Sequence, residues 1–125
     1  MAANKIISIG PLALTATLTT NIVNCAITSL AGPVGYTQTQ PYIILKHIRI
    51  TNVTGSSVSF TLAVGTTGVT PSSANAFMGF GTTIPANSYV DWYGQKRLDA
   101  TDFLVGGASA GTSLTFQCEA EIGLV

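Results

Sequence analysis

Apolar and polar side chains alternate with a period of two along most of the chain, the signature of half-buried β-strands. Thr112–Ile122 shows it most clearly: Leu114, Phe116, Cys118, Ala120 and Ile122 point one way, and Thr115, Gln117, Glu119 and Glu121 the other. Ser57–Val64 repeats it, with Val58, Phe60, Leu62 and Val64 expected inward and Ser59, Thr61 and Ala63 outward. Between Tyr42 and Thr51 the parity changes partway, from Ile43 and Leu45 to Ile48 and Ile50. A bulge, or burial of both faces at one end, produces such a change. Weaker strands are predicted at Leu12–Thr19, Ile22–Leu30, Tyr89–Tyr93 and Asp102–Val105. Thr20-Asn21, Ala31-Gly-Pro33, Asn52–Gly55, Pro85–Asn87 and Gly106-Gly107 read as the turns between them.

No segment keeps helical spacing for more than about two turns. The pattern therefore predicts an all-β fold, an antiparallel β-sandwich of jelly-roll-like form. Its length suits one domain covering residues 1–125, with residues 1–11 as an N-terminal arm. Two segments read as long loops, Ala31–Pro41 and Gly65–Thr83. The second carries Phe77, Met78 and Phe80, expected either to fold over one end of the sandwich or to dock on a neighbouring subunit.

Composition adds the question of what surrounds this fold. Five Lys and Arg and five Asp and Glu make up only 8% of the chain, against 28 Thr and Ser. A typical soluble domain is about 25% charged. A surface of Thr, Ser, Asn, Gln and Gly at zero net charge does little to keep copies apart, so self-association is expected. Balanced charge also argues against a nucleic-acid or anionic-membrane partner. No apolar run approaches the roughly 20 residues of a transmembrane helix. Ser8, Gly10 and Pro11 interrupt a signal-like N-terminal stretch, which points to synthesis in the cytoplasm. Cys25 and Cys118 read either as two small buried hydrophobes or as a disulfide.

Candidate chemistry is sparse. His47 is the only histidine, and its neighbours Lys46 and Arg49 repel a cation, so no metal site is expected. Glu119 and Glu121 stand about 7 Å apart along a strand, near a glycosidase spacing, but are expected instead to meet Lys46, Arg49, Lys96 or Arg97. Asp99 and Asp102 lack the ligand alternation of a calcium loop, and Gly79-Phe-Gly81 lacks the rest of a dinucleotide fingerprint. Asn52-Val-Thr54 matches a glycosylation sequon. Trp92-Tyr93 reads as a strand-end pair capping the core or as a sugar-stacking platform. No catalytic site and no cofactor are expected.

The order of features resembles small β-sandwich virion proteins of tailed bacteriophages, of head-decoration (minor capsid) or tail and fibre type. The resemblance lies in Lys46-His-Ile-Arg-Ile-Thr-Asn52, a Gly-Ser turn and Val58-Ser-Phe-Thr-Leu-Ala-Val-Gly65. It continues through Ile84-Pro-Ala-Asn-Ser88, Leu98 with Asp102, and the final alternating strand, spanning about Tyr42–Ile122. It implies a non-enzymatic structural protein on the virion exterior, most simply a capsid decoration protein that self-associates (a trimer is one form) and binds the major capsid protein. The contacts expected on this reading are Lys5, Ile6, Ile7, Ile9, Tyr36, Tyr42, Phe77, Met78 and Phe80. The alternative it leaves open is a carbohydrate- or receptor-binding module of a tail or fibre, using Trp92 and Tyr93.

Overall fold

A computed structural model describes residues 5–24, 42–99 and 102–123 of the chain. Eight strands follow in order: β1 (Lys5–Ala13), β2 (Asn21–Asn24), β3 (Tyr42–Asn52), β4 (Val58–Gly65), β5 (Ala76–Ile84), β6 (Tyr89–Leu98), β7 (Phe103–Ala108) and β8 (Leu114–Gly123). They form two four-stranded antiparallel sheets, sheet I in the order β1-β8-β3-β6 and sheet II in the order β2-β7-β4-β5. Nearly every connection crosses from one sheet to the other, and the first strand pairs with the last. This is the eight-stranded, double-sheet jelly roll, and it bears out the all-β, antiparallel sandwich expected from the alternation.

The inward rows meet in one core. Leu114, Phe116, Cys118, Ala120 and Ile122 of β8 are all buried, as the alternation predicts. Facing them from sheet II are Phe60 and Leu62 of β4, Leu104 of β7 and Ile84 of β5. The parity change in β3 is a bulge: Leu45 pairs with Ala120 and His47 with Glu119, leaving Lys46 as the extra residue. Lys46 and His47 thus both turn outward, and Ile48 and Ile50 return to the core. Asn52 is a buried polar residue with its hydrogen bonds filled. Its Nδ2 donates to the carbonyls of Ser56 (2.7 Å) and Ile84 (3.0 Å), and its Oδ1 accepts from the Thr54 amide (3.0 Å) and hydroxyl (2.7 Å). Its side-chain nitrogen is therefore committed to the turn, which removes the sequon as a glycosylation site.

Several expectations are corrected. From Lys5 onward the segment expected as an N-terminal arm is a nine-residue strand laid against β8, and it overlaps only the start of the strand predicted at Leu12–Thr19. Thr15–Thr20 instead form a turn held by Thr15 and Thr20 hydroxyls 2.7 Å apart. The second half of the expected Gly65–Thr83 loop is strand β5, irregularly paired with β4. Its glycines and threonines hid it: Gly79 has no side chain because the Phe60 ring occupies that space. Gly106 and Gly107 lie within β7, where a β-carbon on Gly106 would strike the carbonyl of Thr61. Ala63, expected outward, is buried. Ile22–Leu30 survives as β2 over Asn21–Asn24; its remainder, with Cys25, falls outside the described residues.

Candidate functional site

The few charges are not spread evenly over the two sheets. Strands β2, β4, β5 and β7 contain no Asp, Glu, Lys or Arg, so sheet II is an uncharged sheet. All strand-borne charges belong to sheet I, and most of them lie on its outward face.

Register arranges that face in cross-strand rows. Ser8 pairs with Glu119, Glu119 with His47, and His47 with Tyr93, one residue from each of the four strands. The neighbouring row runs Gln117, Arg49, Asp91. On the β3–β6 side the two rows lock together. Arg49 grips Asp91 with both prongs of its guanidinium, Nε to Oδ1 at 2.7 Å and Nη2 to Oδ2 at 2.9 Å. His47 Nε2 meets the same Oδ1 at 3.0 Å. These bonds to the charged carboxylate, Arg49 foremost and His47 second, hold Asp91 down at about 2 and push Arg49 up. Tyr rings close both ends: Tyr93 stacks on His47 at 4.5 Å, and Arg49 lies over Tyr89 at 4.4 Å. Both tyrosines remain more than half exposed.

On the β1 side the same rows open into a basin of about 320 Å³, lined by Ser8, Gly10, Pro11, His47, Arg49, Gln117, Cys118 and Glu119. The basin exists because β1 is bulged between Ile9 and Leu12 and bears only small residues there. Gly10 has a φ of +87°, and a β-carbon on it would press on the Phe116 carbonyl at 2.6 Å. Among the described residues no hydrogen bond or ion pair engages the Ser8 hydroxyl, the Gln117 amide or the Glu119 carboxylate. Burial pushes the Cys118 thiol up to about 12, aided by the charge of Glu119, so it stays protonated and is a poor nucleophile.

The residues singled out in the sequence are distributed as follows. Ile7 and Ile9 are core residues, 5% and 7% exposed, and are corrected from contacts to packing. Ile6 between them is 81% exposed, and Lys5 opens β1 opposite Ile122. Tyr42 carries the Arg97 guanidinium over its ring at 4.2 Å, and Tyr36 falls outside the described residues. Phe77 and Met78 fold inward, Phe77 meeting the Trp92 ring edge-on at 5.0 Å, whereas Phe80 is 56% exposed. Trp92 and Tyr93 point to opposite faces of β6, one toward the core and one outward, so they form no common platform. Of the expected charge pairs, Lys46–Glu121 is present at 3.7 Å, while Arg49 pairs with Asp91. Ser8, Gln117, Tyr89 and Asp91 were missed, because only pairing between distant strands brings them into the rows.

No family model and no curated protein matches the chain. Among solved structures it is similar to the coat protein dimer of tobacco streak virus, with TM-score 0.46, 12% identity, and 98% of this chain and 87% of that one covered. It is also similar to the virus-like particle of the extra small virus of the giant freshwater prawn Macrobrachium rosenbergii, with TM-score 0.46, 8% identity, and 96% and 76% covered. A third similarity is to the Eiger TNF of S. frugiperda, with TM-score 0.41, 10% identity, and 99% and 94% covered. Likeness this remote is no guide to activity or partners.

Proposed function

We propose that the protein is a non-enzymatic structural subunit of a virion, a head-decoration protein that self-associates and binds the major capsid protein on the shell exterior. The carrying observation is the division of charge: one whole sheet of the jelly roll lacks ionisable strand residues. Burying Thr, Ser and Gly surface against a neighbour has a low desolvation penalty compared with burying Lys or Glu. The resemblance of Tyr42–Ile122 to small phage virion proteins supports the same reading. So does a core packed by Phe60, Phe116 and large aliphatic side chains, which leaves the sandwich interior to packing. Phe80, exposed on the edge strand β5, is the best-placed apolar contact; Phe77 and Met78 are engaged inside. Synthesis in the host cytoplasm fits this role, with neither nucleic acid nor membrane as partner.

The test is quantitative mass spectrometry of gradient-purified particles from the producing host. Hundreds of copies per particle are expected for a shell component, lost when Phe80 is replaced by Asp in an otherwise folded protein. A handful of copies would move the chain to a tail tip or fibre, and none would remove it from the virion.

A further inference from the structure

We propose that the basin on the outward face of sheet I is a saccharide-binding site that takes one neutral sugar ring. The first ground is its unused hydrogen-bonding capacity. Glu119 offers an acceptor, and Gln117 and Ser8 offer both donors and acceptors. All three lie in two adjacent cross-strand rows with no partner among the described residues. A ring of hydroxyls, each able to donate and to accept, answers such a set group by group. The second ground is size: about 320 Å³ falls at the small end of ligand sites, enough for a single ring but not for a dinucleotide or a lipid chain.

The electrostatics narrow the class. Arg49 spends Nε and Nη2 on the Asp91 carboxylate, so its charge is already paired, and the unpaired charge facing the basin is the Glu119 carboxylate. Phosphates and carboxylated sugars are therefore disfavoured, and an uncharged pyranose is favoured. The scaffold is rigid where it matters. His47 is fixed by Asp91 and by the Tyr93 ring stacked on it, the next residue in the Ser8–Glu119–His47 row. This site is separate from the charge-free sheet and stands or falls independently of the virion role.

Saturation-transfer difference NMR on the full chain tests it, with the methyl glycosides of glucose, galactose, mannose and N-acetylglucosamine as probes. N-acetylneuraminic acid and the peptide acetyl-Ser-Thr-Asn-amide serve as competing classes. At least one neutral glycoside is expected to receive saturation. Glu119→Ala should weaken that binding about tenfold or more, the loss of one hydrogen bond to a charged group. Gln117→Ala should weaken it too, while Thr82→Ala on sheet II leaves it unchanged. Glu119→Gln, which preserves shape, separates loss of the carboxylate from loss of fold. Silence from all four glycosides overturns the proposal. So does binding that survives both Glu119→Ala and Gln117→Ala, or a stronger response from the acid or the peptide.

Discussion

Asp91 organises the outward face of sheet I. One carboxylate serves Arg49 through a two-pronged contact and His47 through a third bond, and Arg49 and His47 carry Tyr89 and Tyr93 against them. Because those bonds need the ionised form, Asp91 titrates at about 2 in the fold rather than at 3.8. The stabilisation is therefore complete above pH 3.8 and is lost as pH falls through about 2. Asp91→Asn should lower the urea midpoint at pH 5, and its deficit against the parent protein should shrink as the pH is taken toward 2. A constant deficit across that range would show that the ionised carboxylate is not the source. The motif itself was only half legible. Arg49 and His47 stand out in the sequence as polar side chains in an apolar strand, but Asp91 is 42 and 44 positions away, and nothing local announces it.

Strands differ in how openly they declare themselves. β8 and β4 show plain alternation because one face meets the core throughout, and β3 shows even its bulge as a shift of parity. β1 and β5 are concealed for a physical reason. β1 contains Gly10 and Pro11, which ordinarily mark a break, and its pairing with β8 absorbs them as a bulge. β5 gives up a side chain at Gly79 so that Phe60 can lie against its backbone, which erases the alternation there. Gly79→Ala should therefore destabilise the protein by about 1–3 kcal/mol, the usual penalty for overpacking a core ring. Gly55→Ala, at a turn with open space around it, should have almost no effect or stabilise slightly. Chemical denaturation of the two variants side by side provides the comparison; equal effects would mean that Phe60 does not depend on that gap.

At the level of the assembled sandwich, the two outer faces differ in kind. Sheet I carries the ion pairs, the exposed tyrosines and the polar basin, while sheet II carries neither acid nor base on its strands. Sheet II is the face proposed for contact with neighbours, and sheet I the face proposed for a polar ligand. If sheet II forms the subunit contacts, association should depend little on salt, because screening acts on charges and this sheet has none. Light scattering coupled to size exclusion should give the same oligomer mass at low and high NaCl, and Phe80→Asp should reduce it. Dissociation by salt alone would place the contacts on sheet I instead.

Read alone, the amino-acid sequence determines the strand character of the fold, the inward rows of β3, β4 and β8, and the scarcity of charge. Each of these is a local property, carried by positions two apart or by composition. Which strands lie side by side is not local. β1 pairs with β8 across more than a hundred residues, and that choice depends on how the two sheets bury their apolar faces together. Tertiary pairing therefore created the Ser8–Glu119–His47–Tyr93 row, opened the basin beside it and gathered the strand-borne charges onto one sheet. The charge-poor composition is read from the sequence alone, whereas the absence of charge from the strands of sheet II is a product of the fold.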